Sequence, residues 1–385
     1  MTSFGDKCMT VTPFKISVDQ VILDDLKSRL ARTRWPDEIS NSNWDYGTNL
    51  AYMKELVDYW IGSFDWRAQE EFINSFNNYL TEIDGLKIHF IHERGSGDNP
   101  LPLIITHGWP SSFFQMLKII PLLAHPERFG GKQEDSFDVI VPSMPGYGFS
   151  DARLLRGRVP VAKLWGKLMV DVLGYKRFAA QGGDVGTGVT ERLAIAYANH
   201  VVGIHLTDVH ADVGLDTPSL SKSERNYLIR AKEWDINEGA YDSMQATKPQ
   251  TLAYGLNDSP VGLAAYIIEK FFSWGDCRGD IERSFTKNEL LTNITIYWVS
   301  QTINSSMRYY YEARHETERE RNWRVSVPTA VAMFPGDIDQ QPAEFAERAH
   351  NLKKYTMMAS GGHFAALEEP ELLVKDIQEF FRDLR

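Results

Sequence analysis

Apolar residues recur along this chain in two rhythms, and the order in which the rhythms alternate predicts its architecture. From residue 13 to residue 80 the spacing is helical. Ile22, Leu26 and Leu30 follow Ser17-Val-Asp-Gln20, which has the form of a capping box, and Trp35-Pro36 ends the run. A second helix carries Tyr52, Leu56 and Tyr59-Trp60 ahead of Gly62, and a third covers the 66 to 80 region. Three aromatic-rich helices alone would leave much apolar surface in water, so this segment is expected to wrap a larger body. At Asp84-Gly85, a hairpin-type turn, the rhythm changes to alternation at Leu86, Ile88 and Phe90. Short apolar runs follow at Leu103-Ile105, Phe137-Val141, Phe178-Ala180, Val202-Leu206, Thr329-Phe334 and Tyr355-Met358. The chain closes on an amphipathic helix with Leu373, Ile377, Phe380, Phe381 and Leu384.

Strands alternating with helices predict an α/β protein with a mostly parallel, doubly wound sheet. Between about residues 211 and 325 the strand signal disappears, and helical patterns run through Leu220-Trp234, Val261-Trp274 and Leu290-Tyr311. Sitting between two strands, this block reads as a cap inserted over the strand ends, where open α/β sheets bind ligands. The expected organisation is a helical N-terminal lead (1–85), a core (86–210), a helical cap (211–325) and the remainder of the core (326–385).

The bulk properties narrow the functional class. At 385 residues the chain can bury a large core, and its 43% hydrophobic and 24% charged residues are ordinary for a globular protein. A net charge of -11 with no basic run argues against nucleic acid as a partner. Cys8 and Cys277 lie too far apart in sequence to make a disulfide framework, which fits a reducing, cytoplasmic setting. Met1 to Pro13 contains neither a signal-peptide pattern nor a long apolar span, so no membrane association is expected. No zinc spacing is visible, His205 and His210 being wrongly placed for one helical face, so chemistry without metal or cofactor is expected.

The chemistry centres on Phe178-Ala-Ala-Gln-Gly-Gly-Asp184-Val-Gly-Thr-Gly188. Small residues run into a glycine-flanked turn, and a helical pattern follows from Thr190 through Val201. This is the strand, sharp turn and helix of a nucleophile elbow, with aspartate where serine is usual. A plain helix cap is the alternative for any aspartate at a helix start. As a nucleophile, a carboxylate attacks an sp³ carbon and becomes an alkyl ester, so strained ethers or alkyl halides are the expected substrates. An α/β-hydrolase then needs an acid and a histidine, in that order. Phe334-Pro-Gly-Asp337 and Gly361-Gly-His363-Phe364 each follow an expected strand. His363 would activate the water that cleaves the ester, and Asp337 would orient it; Asp339 and Asp208 are lesser candidates for the acid. His107-Gly-Trp109-Pro110 ends the strand from which this fold supplies one oxyanion N–H, so the donors would be Trp109 and Val185.

Taken together, His107-Gly-Trp-Pro110, Met144-Pro-Gly-Tyr-Gly-Phe-Ser150, Gly-Gly-Asp184-Val-Gly and Gly-Gly-His363-Phe-Ala-Ala-Leu-Glu-Glu-Pro370 resemble the epoxide hydrolases of the microsomal type. Arg34-Trp-Pro-Asp37 and Trp44-Asp-Tyr-Gly47 resemble the lead of that branch, so the likeness covers nearly the whole chain. Mammalian members begin with a membrane anchor and this chain does not, so the expectation is a soluble bacterial or fungal form. The resemblance implies two cap tyrosines that hydrogen-bond the epoxide oxygen and selects Tyr241 and Tyr310. Helical geometry leaves open which of Tyr309, Tyr310 and Tyr311 faces the cavity. The implied partners are a hydrophobic epoxide and water, and aromatic cap helices leave room for a homodimer.

Two other readings compete. Dehalogenases share the fold, the Asp nucleophile and the histidine, but they commonly place Trp after the nucleophile, or arginines beside it for haloacids. Here Val185 follows Asp184 and no arginine adjoins it. A catalytically inactive binding protein on this fold would be expected to lack a triad member, and all three residue types are present. A serine esterase is disfavoured because no Gly-x-Ser-x-Gly elbow occurs.

Overall fold

The computed structural model describes residues 10–152, 158–209, 220–316, 323–338 and 340–385. Its strands are β1 (Thr12–Pro13), β2 (Asn78–Ile83), β3 (Leu86–Glu93), β4 (Leu101–Thr106), β5 (Phe137–Pro142), β6 (Phe178–Gly182), β7 (Val201–Leu206), β8 (Val325–Met333) and β9 (His350–Met357). They form one sheet in the order β1-β2-β3-β5-β4-β6-β7-β8-β9. Pairing is antiparallel from β1 to β5 across β2 and β3, and parallel from β5 onward. The central strands are apolar on both faces, with Leu103, Ile104, Ile105, Val139, Ile140 and Val141 all fully buried, as parallel strands covered by helices require.

Helices α1 (Gln20–Leu30), α2 (Leu50–Gly62) and α3 (Trp66–Asn74) form the lead. Alongside the sheet run α4 (Ile119–Ala124), α5 (Arg158–Lys167), α6 (Val185–Ala196), α13 (Ala343–Ala349), α14 (Ala365–Glu368) and α15 (Pro370–Phe381). The cap stands between β7 and β8 and contains α7 (Lys222–Glu238), α8 (Ala240–Thr247), α9 (Pro249–Leu256), α10 (Pro260–Trp274), α11 (Lys287–Ser300) and α12 (Ile303–Arg314).

Three local expectations are revised. The helical reading to residue 80 stops at Asn74, and β2 pairs with β3 through Asp84 and Gly85, at φ of 53° and 76°. Two of the inward positions of β2 are Asn78 and Thr81, so it shows little apolar alternation. Asn78 is satisfied by donating to the Ile73 carbonyl at 2.9 Å. The capping box at Ser17 does not form: α1 starts after Asp19, and the Val18 N–H donates 2.7 Å to Glu70 Oε1 of α3. The single pattern over Leu290-Tyr311 is two helices, parted where Gln301 takes a left-handed φ of 54°. With neither glycine nor proline there, the break left no mark in the sequence.

The lead grips the cap. Trp44 stacks on Phe272 of α10 with ring centroids 3.9 Å apart, and the Thr48 hydroxyl donates to the Ala265 carbonyl at 2.7 Å. At the other end, Ser221 and Glu224 form a capping box on α7, and Arg348 of α13 clamps Glu224 with contacts of 2.6 and 3.1 Å. The Arg348 guanidinium holds the Glu224 carboxyl at about 2, below its ordinary 4.5, against the opposing pull of burial. A depressed carboxylate stabilises the fold above its unfolded pKa and loses that contribution as pH falls through its folded one. Glu224→Gln should therefore cost roughly 1–2 kcal/mol at neutral pH. In chemical-denaturation curves the gap from wild type should close between pH 4.5 and about 2. A gap independent of pH would show that the carboxylate charge is not what docks α7.

Candidate active site

Asp184 stands between β6 and α6 at φ 55°, ψ -129°, and its side chain makes no capping bond to α6. The left-handed φ turns the carboxylate away from the helix, and the alternative of a simple cap fails. Close passage of β6 and α6 depends on glycine. A Cβ at Gly186 would run into the carbonyls of Thr106 and His107, and one at Gly182 into the carbonyl of Gly186. Asp208, at the end of β7, steadies the turn: its Oδ1 accepts from the Asp184 N–H at 3.2 Å and from the Thr187 hydroxyl. Asp208 thus serves the elbow backbone and is not the histidine's partner.

The Asp184 carboxylate accepts hydrogen bonds from the backbone N–H groups of Trp109, at 2.8 Å to Oδ1, and Val185. The loop that carries Trp109 is shaped from within. His107 accepts the Met144 N–H on Nε2 at 3.2 Å, so its Nδ1 donates to the Gly108 carbonyl at 3.1 Å. Burial lowers the His107 pKa to about 4, which keeps this neutral arrangement. The cap holds the same loop from outside. Asn293 of α11 donates to the Pro110 carbonyl at 2.9 Å, and the Tyr297 hydroxyl donates to the Ser111 carbonyl at 2.7 Å.

His363 and Asp337 come from the loops after β9 and β8. His363 Nδ1 lies 2.8 Å from Asp337 Oδ1, and its Nε2 lies 3.6 Å from Asp184 Oδ2, an ion-pair distance rather than a hydrogen bond. Asp339 lies outside the described residues, as do Cys8 and His210. Burial pulls the imidazole pKa down, but Asp337 and Asp184 outweigh it and raise it well above 6.5. Burial likewise raises the Asp184 carboxyl, and His363 with the two backbone donors brings it below its ordinary value. The resting pair is therefore carboxylate and imidazolium.

Tyr241, in the first turn of α8, stacks parallel to Trp109 at 5.3 Å, and Tyr310 of α12 meets the rings of Trp109 and Tyr241 edge-on at 5.9 and 6.0 Å. Tyr309 is buried, whereas Tyr311 is exposed and stacked on His315. Of the three adjacent tyrosines, Tyr310 is the one whose ring meets both Trp109 and Tyr241, with Tyr309 edge-on behind it at 6.5 Å. Burial, then the nearby Asp184 charge, raises the phenols of Tyr241 and Tyr310 well above 10, so both remain protonated donors.

Residues 11–116 match the epoxide hydrolase N terminus family, and residues 102–262 match the alpha/beta hydrolase fold family. A putative epoxide hydrolase of Stigmatella aurantiaca is 43% identical over 97% of this chain and 86% of its own length, and epoxide hydrolase 1 of Oryctolagus cuniculus is 41% identical over 96% and 88%. The chain belongs to the epoxide hydrolase family. Among solved structures, juvenile hormone epoxide hydrolase from Bombyx mori superposes with a TM-score of 0.89 at 29% identity, covering 98% of this chain and 95% of that one. The epoxide hydrolase of Aspergillus niger gives 0.86 at 28% identity, covering 98% and 97%. The narrower expectation of a microsomal-type enzyme is overturned. These two enzymes match over nearly the full length of the chain, and among the described residues no helix is long and apolar enough to cross a membrane.

The epoxide hydrolase site also contains groups that the sequence reading passed over. Glu368 accepts the N–H groups of Asp276 at 2.7 Å, Phe364 at 2.9 Å and Gly362 at 3.1 Å, tying the His363 loop to the end of α10. Burial raises its carboxyl to about 7. The Trp274 carbonyl accepts the His363 N–H at 2.9 Å, and its ring meets the imidazole edge-on at 5.2 Å. Glu368 lies inside the motif that carries His363, but three backbone bonds to one side chain leave no periodic trace. Because Asp337 supplies much of the charge that protonates His363, Asp337→Asn should lower the imidazole pKa, read from ring-nitrogen NMR shifts across a pH series. Identical titrations in the two proteins would remove Asp337 as the partner.

Proposed function

We propose that this protein hydrolyses a hydrophobic epoxide to a vicinal diol through a covalent ester on Asp184. The observation that carries the reading is the carboxylate itself, held by two backbone N–H groups and facing a histidine paired with a second carboxylate. In the first step Asp184 Oδ2 attacks a ring carbon, the C–O bond breaks, and the ring oxygen takes a proton from Tyr241 or Tyr310. The rings of Trp109, Trp274 and Tyr266 beside these phenols suit an apolar substrate.

Esterification removes the Asp184 charge, one of the two that raise the His363 pKa. The imidazole pKa then falls, the imidazolium proton passes to the phenolate left by ring opening, and a base is present at the stage when one is needed. His363, oriented by Asp337, takes a proton from water, and the oxygen attacks the Asp184 carbonyl carbon. The N–H groups of Trp109 and Val185 stabilise the oxyanion, each worth about 3 kcal/mol of barrier. Collapse of this intermediate breaks the ester bond, the departing alkoxide takes the proton held on His363, and the diol is released.

The dehalogenase reading has less support, since no tryptophan follows Asp184 and the phenols suit a ring oxygen better than a halide. A single turnover in heavy-oxygen water should put the label in Asp184; label passing straight into the diol would mean direct attack by water. Asp184→Ala should abolish diol formation, and His363→Gln should accumulate an adduct visible by intact-protein mass. Tyr241→Phe and Tyr310→Phe should each slow ester formation by roughly 10²-fold, the scale of one lost donor. Unchanged single-turnover rates in both would remove the phenols from the first step.

A further inference from the structure

A second chamber adjoins the Asp184 carboxylate, and no cap residue lines it. Its walls include Gly108, Gln115, Gln181, Asp184 and His363, closed below by Leu373 of α15. The room in it for water is about 20 Å³, above the roughly 10–15 Å³ that one water needs. Gln181 is 2% exposed, and its Oε1 has no hydrogen-bond partner among the described residues. An amide oxygen left buried and unpaired is destabilising, so a ligand that donates to it is favoured.

We propose that this chamber holds the water that hydrolyses the Asp184 ester, and that Gln181 is the residue that positions it. This rests on the two-step reading above. The water would donate one hydrogen to Gln181 Oε1 and the other to His363 Nε2 once the imidazole is neutral, leaving a lone pair for the Asp184 carbonyl carbon. Two hydrogen-bond partners lie within the two to four that a buried water makes. Gln181 is well placed for this work. It lies in β6 three residues before the nucleophile and is held in register with Ile105 on one side and His205 on the other, so the strand fixes its reach. The separation also solves a problem of the reaction. An apolar epoxide filling the cap side expels solvent from the face it occupies, whereas a water stored on the core side remains available after the ester forms.

Gln181→Met keeps the length of the side chain and removes the acceptor. Ester formation should be unaffected and ester hydrolysis slowed roughly 10- to 100-fold, the scale of a misplaced reactant. Because kcat/KM reports only the steps through alkylation, kcat and KM should fall together with their ratio kept, and the alkyl-enzyme should accumulate by intact-protein mass. A parallel loss of kcat and kcat/KM without adduct would mean that Gln181 only supports the elbow, and an unchanged kcat would remove it from the reaction; either overturns the inference. If Gln181→Met does not fold, a high-resolution crystal structure of the wild-type protein decides. An ordered water within hydrogen-bond reach of both Gln181 Oε1 and His363 Nε2 supports the proposal, and a chamber without one overturns it. His363→Gln, run alongside, separates the two readings. Adduct there with normal hydrolysis in Gln181→Met sinks only the Gln181 inference, whereas no adduct in either variant sinks the two-step scheme.

Discussion

The left-handed backbone at Asp184 is the constraint around which the site is arranged. A non-glycine residue at φ 55°, ψ -129° costs of order 1–3 kcal/mol and persists only where its surroundings over-determine it. Those surroundings are specific. Gly182 and Gly186 let strand and helix pass closely, Asp208 accepts the Asp184 N–H, and the Trp109 N–H meets the carboxylate. In ordinary helix-cap geometry the same side chain would satisfy α6. Turned out of it, the carboxylate meets the Trp109 and Val185 N–H groups and His363, so the strain is what makes it available.

The charges within this arrangement are mutually dependent. Asp337 and Asp184 both favour the imidazolium, while burial opposes it. The charge states of Asp184 and His363 are set together, each favoured by the other, with Asp337 adding to the imidazolium side. Neutralising one carboxylate shifts the balance for the others, because in a partly desolvated pocket each charge is felt strongly. Removing the Asp184 charge, as the proposed ester would, changes the proton affinity of His363 without any conformational switch.

The cap does more than cover the strand ends. Asn293 and Tyr297 of α11 hold the loop that supplies the Trp109 donor, and Glu368 joins the His363 loop to the end of α10. Tyr241 and Tyr310 arrive on two further cap helices. The lead in turn stacks Trp44 on α10. Segments distant in sequence thus meet through a short list of side-chain to backbone bonds, and displacement of the cap would be felt at the oxyanion donor as well as at the phenols.

The sequence by itself determined the alternating α/β architecture, the helical insertion and the elbow. Strand periodicity, the loss of that periodicity after residue 211, and glycines flanking an aspartate are local signals that need no knowledge of distant contacts. It also marked His363 and Asp337, through glycine-bearing loops after apolar strands. Only the tertiary structure decided that β2 joins the sheet, since its buried positions include polar Asn78 and Thr81, the first of them satisfied by the Ile73 carbonyl. The break at Gln301 and the engagement of Asp208 with the elbow backbone were likewise decided there. Each of these depends on which partner a side chain meets across the fold, and a partner's position is a property of packing rather than of the order of residues.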